Sequence, residues 1–124
     1  MNRKEAICYA EEWTENWNKR DLEAVLAHFD DDVVFTSPKA LPTVGVPTVR
    51  GKAALLRYWT AAISAARSIR FSLRRVIWDP ETPELSIVYD REIDGKNDRA
   101  SEVLRFDRSG KVIQGEVFYG VAPR

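Results

Sequence analysis

The sequence predicts an α+β fold in which helices pack on one face of a curved, mostly antiparallel sheet. In the first half of the chain, apolar residues recur every three or four positions, which is typical of amphipathic helices. In the second half, they alternate with polar residues, which is typical of strands. A run of strands after a group of helices indicates α+β architecture. Because the 124 residues contain no repeats and no linker, we expect one domain over residues 1–124.

Three helices are predicted in the first half of the chain. The first covers residues 3–18, the second begins after Asp21, a typical N-cap residue, and the third covers residues 52–66. Their apolar faces comprise Ala6, Ile7, Ala10, Trp13, Thr14 and Trp17, then Leu22, Val25, Leu26 and Phe29, then Leu55, Tyr58, Trp59, Ala62 and Ile63.

Strands are predicted around and after the third helix. Residues 33–37 form a short strand that Pro38 ends. Residues 39–50 contain two prolines and a glycine, so we expect a loop long enough to cover a site. Residues 69–78 and 84–93 alternate with a period of two and are predicted to be antiparallel neighbours.

The last two strands, within residues 98–120, form a hairpin that turns at residues 107–110. Glu102 stands out on the first of them, because the rest of its face is apolar. That face carries Ala100, Leu104 and Phe106. Burying an unpaired carboxylate costs several kcal/mol, so Glu102 must be solvated, paired or protonated. Glu102 is therefore the best indicator of a functional site in the sequence.

Two registers of this hairpin are possible. With an even number of loop residues, Glu102 shares its face with Ile113, Gly115, Val117 and Tyr119. A three-residue bulged loop places Glu102 opposite Glu116 instead. The even loop is favoured because two acids facing each other in an apolar layer are costly.

The composition argues against several classes of protein. The 19 basic and 19 acidic residues balance, so no net charge attracts nucleic acid or an anionic membrane. The single cysteine excludes an internal disulfide and a multi-cysteine metal site. No apolar run approaches the ~20 residues of a membrane span, and the first residues lack the apolar segment of a signal peptide. We expect a cytoplasmic protein without nucleic-acid or membrane partners.

Three stretches resemble the nuclear transport factor 2-like superfamily, specifically its SnoaL-like polyketide cyclase and ketosteroid isomerase branch. They are WTENWNKRDLEAVLAHFDDDVVFTSP, RGKAALLRYW and EVLRFDRSGKVIQGEVFYG, which together touch nearly the whole length. The resemblance implies a cone-shaped, strongly curved sheet with three helices from the N-terminal half packed on its concave face around a pocket. Such folds host isomerases, cyclases, dehydratases, hydrolases and binding proteins, so the fold alone names no function.

The ketosteroid isomerase pattern can be carried over at three positions. The aspartate base of those enzymes lies on the first short strand before a proline, where this sequence has Ser37. Their oxyanion-binding tyrosine lies on the first helix, where this sequence has Trp13, and their protonated acid corresponds to Glu102. A serine with an ordinary pKa cannot replace a carboxylate base, so steroid isomerisation itself is not expected.

The resemblance also implies which other side chains line the pocket. Candidate proton donors are Tyr58 and Tyr119 beside Glu102, and the candidate substrate-binding residues are Trp13, Trp17, Phe35, Ser37, Tyr89 and Arg91. Arg91 could pair with Glu102 across adjacent strands and keep it ionised. If it does not, burial raises the pKa of Glu102, which can then act as an acid. We expect neither a metal site nor a cofactor, since the only histidine, His28, lies off the predicted apolar face.

Three functions fit these observations. The first is an isomerase- or cyclase-like enzyme that transfers a proton next to a carbonyl of a small, mostly apolar or aromatic compound. The second is a non-catalytic binding or sensing domain for a hydrophobic metabolite. The third is a dimerisation module with a vestigial pocket. A homodimer is predicted through the other sheet face, where Val103 and Phe118 lie in the favoured register.

Overall fold

A computed structural model describes residues 1–123 and has four helices and six strands within them. The helices are α1 (Arg3–Asn18), α2 (Leu22–Leu26), α3 (Leu41–Val44) and α4 (Lys52–Ser64), and the strands are β1 (Phe29–Thr36), β2 (Thr48–Arg50), β3 (Ile69–Asp79), β4 (Glu84–Ile93), β5 (Lys96–Phe106) and β6 (Val112–Gly120). The strands form one curved sheet in the order β2-β1-β6-β5-β4-β3. Only the β1–β6 pair is parallel among these strands of residues 1–123. The predicted α+β architecture is confirmed.

The two N-terminal helices begin at side-chain caps. In α1, the Asn2 side chain accepts from the backbone N–H of Glu5, and the Glu5 carboxylate accepts from that of Asn2. Asp21 accepts from the Ala24 N–H and caps α2, as the sequence predicts. Within residues 1–123, no helix is both long and apolar enough to cross a membrane.

The segment predicted as a loop at residues 39–50 is partly regular. A 3₁₀ turn at Pro38–Ala40 leads into the short helix α3, and β2 then pairs with β1. The two prolines of this segment favoured a loop in the prediction, although proline is compatible with the first turn of a helix. Ser37 lies beyond the end of β1 and accepts from the Lys39 N–H, so it caps the turn and is not part of a strand.

The favoured hairpin register is confirmed for the middle of β5 and β6. Glu102 lies opposite Val117, and Ala100 lies opposite Tyr119. A bulge near the turn places Val112 opposite Phe106, so Val112 is fully buried at the position where Ile113 was expected. The bulge leaves the predicted face of Glu102 unchanged.

Aromatic side chains fill the space between the helices and the sheet. Trp13 of α1 stacks on Phe71 of β3, with ring centroids 5.9 Å apart, and meets Tyr89 edge-on at 4.9 Å. Trp17 meets Trp59 of α4 edge-on at 4.9 Å. These contacts fix α1 and α4 over the concave face and leave a cavity beside them.

Candidate functional site

A cavity of about 360 Å³ lies between the concave face of the sheet and helices α1 and α4. Its wall is mostly aromatic and aliphatic. The aromatic lining residues are Trp17, Phe35, Tyr58, Trp59, Phe71, Tyr89 and Tyr119. A cavity of this size and lining is typical of sites for small, mostly apolar ligands.

Glu102 is a buried carboxyl in the wall of this cavity. Its side chain projects from β5 and is 2% exposed, and its Oε2 accepts a hydrogen bond from the Trp13 indole N–H at 3.1 Å. Its Oε1 has no hydrogen-bond partner among the described residues. Burial raises the pKa of Glu102 to about 8, and the Trp13 hydrogen bond offsets part of that rise. Glu102 is therefore mostly a neutral carboxylic acid at pH 7.

Of the two alternatives left open for Glu102, the structure shows the one in which Arg91 does not pair with it. The β4–β5 register places Ile87 opposite Glu102 and places Arg91 opposite Asp98. Arg91 donates two hydrogen bonds to Asp98, from Nε to Oδ1 at 2.7 Å and from Nη2 to Oδ2 at 3.0 Å. Because this directly opposed carboxylate neutralises the guanidinium, Glu102 stays unpaired, which is the alternative that the sequence left open.

Three hydroxyl groups lie together in another part of the wall. Ser37 is 1% exposed and lies close to the phenols of Tyr58 and Tyr119. Burial raises the pKa of both phenols, and the Ser37 hydroxyl partly offsets the rise. Both tyrosines are therefore protonated near neutral pH and can donate hydrogen bonds.

Two cations lie over the ring of Tyr119. The Lys39 Nζ is 4.6 Å from the ring centroid, and the Arg91 Cζ is 4.7 Å from it. Such contacts stabilise a cation next to an aromatic face. They hold Tyr119 and two positive charges together in the cavity wall.

The structure brings together eight of the nine site residues that the sequence predicts. Those lining the cavity are Trp17, Phe35, Ser37, Tyr58, Tyr89, Arg91, Glu102 and Tyr119. Trp13 is not among the lining residues. It lies behind them, packed against Phe71 and Tyr89 and hydrogen-bonded to Glu102.

Sequence reasoning missed several lining residues. Phe71 could have been found from the alternation along β3, and Trp59 from the apolar face of α4. Lys39 and Asp98 gave no comparable signal, because a charged residue in a turn or at a strand end is usually solvated. Only the folded chain shows that both face the cavity.

Comparison with known protein families shows which family this fold and cavity belong to. The family model described as SnoaL-like domain matches residues 10–114. The chain belongs to the SnoaL-like domain family. The match runs from the middle of α1 to the first residues of β6, so it includes Trp13, Ser37 and Glu102 but not Tyr119.

Solved structures share the fold of this SnoaL-like chain. A SnoaL-like protein of unknown function from Burkholderia thailandensis is 24% identical with a TM-score of 0.85, covering 96% of this chain and 97% of that one. A putative ketosteroid isomerase from Kribbella flavida is 16% identical with a TM-score of 0.75, covering 98% and 82%. AclR, a putative hydroxylase from Streptomyces galilaeus, is 16% identical with a TM-score of 0.73, covering 96% and 91%. No curated protein matches the sequence significantly.

Proposed function

We propose that this SnoaL-like protein catalyses proton transfer between a carbonyl group and its neighbouring carbon in a small aromatic or mostly apolar compound. The observation that carries the proposal is Glu102, a carboxylic acid that is neutral at pH 7 and lies in the wall of an aromatic cavity. Its Oε2 is held by Trp13, while its Oε1 has no partner among residues 1–123. A fixed acid with a pKa near the working pH is suited to proton transfer.

In this mechanism, Glu102 donates its proton to the carbonyl oxygen of the bound compound. Water at the cavity accepts the proton of the carbon next to the carbonyl, the C–H electron pair becomes the C=C bond of the enol, and the C=O pair becomes its O–H. Water then returns a proton to Glu102, so no atom is gained or lost. The Tyr58 and Tyr119 hydroxyls, which lie in another part of the wall, donate hydrogen bonds to a second polar group of the compound.

The wall of the cavity supports this reaction class. Its aromatic and aliphatic side chains exclude water from the faces of a flat ligand, and charge-stabilising donors are worth more in such a site than in water. The Kribbella flavida protein described as a putative ketosteroid isomerase supports the proposal by analogy of fold alone. Ser37, in place of the aspartate base, argues for a compound whose carbon acid water can deprotonate.

Deuterium exchange into a simple aromatic ketone tests the proposal. The protein is incubated with 2-tetralone in D₂O, and loss of the proton signals next to the carbonyl is followed by NMR. Wild-type protein should exceed buffer, and Glu102→Gln should lower the enzymatic rate by on the order of a hundredfold. Glu116→Gln, at an exposed position on β6, is the matched control and should exchange at the wild-type rate. Equal rates for wild type and Glu102→Gln would end the proposal.

A second candidate function is non-catalytic binding of a hydrophobic metabolite. Asp98 is the other carboxylate lining the cavity within residues 1–123, and both of its oxygens already accept hydrogen bonds from Arg91. Binding of 2-tetralone to the wild type without exchange above buffer would favour this function over the first.

We also propose that the chain forms a homodimer through the outer face of the sheet. Phe118 lies on this face of β6 and is 53% exposed, with Val103 near it on β5. A second copy would remove this apolar surface from water. Sedimentation equilibrium at micromolar concentration should give a dimer, and Phe118→Glu should give a monomer. A wild-type monomer contradicts the proposal, whereas a dimer that binds no ketone favours a dimerisation module with a vestigial pocket.

A further inference from the structure

The cavity carries an excess of positive charge in a chain whose formal net charge is zero. The charged residues that line it are Lys39, Arg91, Lys96, Asp98 and Glu102. Since Glu102 is mostly neutral at pH 7, three cations face one carboxylate there. A local excess of one sign favours a ligand of the opposite sign.

Part of the positive charge that lines the cavity has no ion-pair partner among residues 1–123. Neither Lys39 nor Lys96 forms an ion pair with a carboxylate of residues 1–123. Arg91 uses Nε and Nη2 on Asp98, and its Nη1 has no hydrogen-bond partner among those residues. The ammonium groups of Lys39 and Lys96 and the Nη1 of Arg91 are therefore available to donate hydrogen bonds to a ligand.

The unused charge and the acid lie at opposite ends of the cavity. Asp98, opposite Arg91, is four residues from Glu102 on the same face of β5, which corresponds to about 13 Å along the strand. Lys39 lies at the same end of the cavity as Arg91, because both cations lie over the ring of Tyr119. A ligand of two fused rings with a substituent can extend between the two ends.

We propose that the compound bound by this cavity is an aromatic acid, with its carbonyl at Glu102 and an anionic group, such as a carboxylate or an ionised phenol, at Lys39, Arg91 and Lys96. This inference rests on the proposed function, which places the reacting carbonyl at Glu102. The anion accepts charge-assisted hydrogen bonds from the lysines and from Arg91 Nη1. The rings lie against the aromatic wall between Trp17, Phe71 and Tyr89.

A pair of probes that differ only in charge tests the inference. Binding of 2-naphthoate and of its neutral analogue 2-naphthamide is measured by calorimetry at pH 7. The carboxylate should bind roughly tenfold more tightly, the effect expected for hydrogen bonds to a charged group. Its affinity should fall as salt is added, while the affinity of the amide should not.

Substitution of charged residues tests whether the preference for naphthoate over naphthamide arises in the cavity. Lys39→Gln combined with Lys96→Gln should remove most of the preference for naphthoate, with a much smaller effect on naphthamide binding. Asp98→Asn removes the carboxylate that offsets Arg91 and should strengthen naphthoate binding several-fold. Lys4→Gln combined with Lys111→Gln is the matched control, because both lysines are exposed and do not line the cavity.

Several outcomes would overturn the inference. They are equal affinity for the two probes, no binding of either at millimolar concentration, or an equal loss for both probes in the double lysine variant. Glu102→Gln should retain the preference for naphthoate, because residue 102 lies at the other end of the cavity from the cations. A preference that survives in a protein without ketone exchange activity would support the anion site while rejecting the proposed reaction.

Discussion

The indole N–H of Trp13 donates a hydrogen bond to Oε2 of Glu102 at 3.1 Å, joining residues that are 89 positions apart in the chain. Trp13 is itself held by its stacking on Phe71 and its edge-on contact with Tyr89. One oxygen of the acid is thereby fixed by a rigid aromatic neighbour, and the other is left for a ligand. The hydrogen bond therefore orients the carboxyl and offsets part of the rise in its pKa that burial causes.

Replacing Trp13 by Phe should raise the pKa of Glu102 further, because the variant removes the donor that favours the ionised carboxylate. It should also lower the free energy of unfolding by about 1–3 kcal/mol, from the lost hydrogen bond and the smaller ring. Titration of the Glu102 side-chain carboxyl by ¹³C NMR measures the first effect, and urea unfolding measures the second.

Trp17→Phe is the matched control for this variant. It makes the same change of ring, but the buried Trp17 indole N–H has no hydrogen-bond partner among residues 1–123. It should leave the pKa of Glu102 unchanged and cost less stability than Trp13→Phe. An unchanged pKa in Trp13→Phe would show that the hydrogen bond does not tune the acid.

The rate of ketone exchange should depend on the protonation of Glu102. The acid form is the reactive one, so the rate should be constant well below pH 8 and fall as pH rises through the pKa of about 8. A profile of the enzymatic rate from pH 5 to 10 checks this dependence. A rate that rises through the same range would assign Glu102 the role of a base instead.

The stability of the protein should fall between about pH 4.5 and 8 because of Glu102. Its pKa rises from an ordinary value of 4.5 to about 8 on folding, so the folded state holds the proton over this interval and the unfolded state releases it. Stability that is fully present below the lower pKa is lost as pH rises through the upper one. Relative to Glu102→Gln, the wild type should lose about 5 kcal/mol. Parallel curves of unfolding free energy against pH for the two proteins would contradict this role.

Gly115 on β6 should tolerate no side chain. A Cβ at this position would lie 2.8 Å from Cδ1 of Phe35, whose ring is fully buried. Gly115→Ala should therefore destabilise the protein by about 1–3 kcal/mol through overpacking. Gly120→Ala is the control on the same strand, since its Cβ would meet the Arg99 carbonyl oxygen at an ordinary 3.8 Å. Thermal unfolding of both variants compares them, and equal midpoints would refute the packing argument.

The sequence by itself predicted the α+β architecture, because its periodicities depend only on which face of each element is apolar. It singled out Glu102 for the same reason, since a carboxyl in an apolar row is visible without coordinates. It also favoured the correct hairpin register from the cost of opposing two acids, although the bulge that buries Val112 instead of Ile113 left no signal.

The tertiary structure decided what Glu102 contacts. Whether Arg91 or Trp13 is its partner depends on the β4–β5 register and on the position of α1, and these arise from packing of the whole core. The same holds for Lys39, which an unrecognised 3₁₀ turn brings to the cavity. The sequence thus determined that a buried acid exists, because hydrophobic pattern is local. Only the fold decided that the acid is unpaired and neutral, because partners and desolvation come from residues distant in the chain.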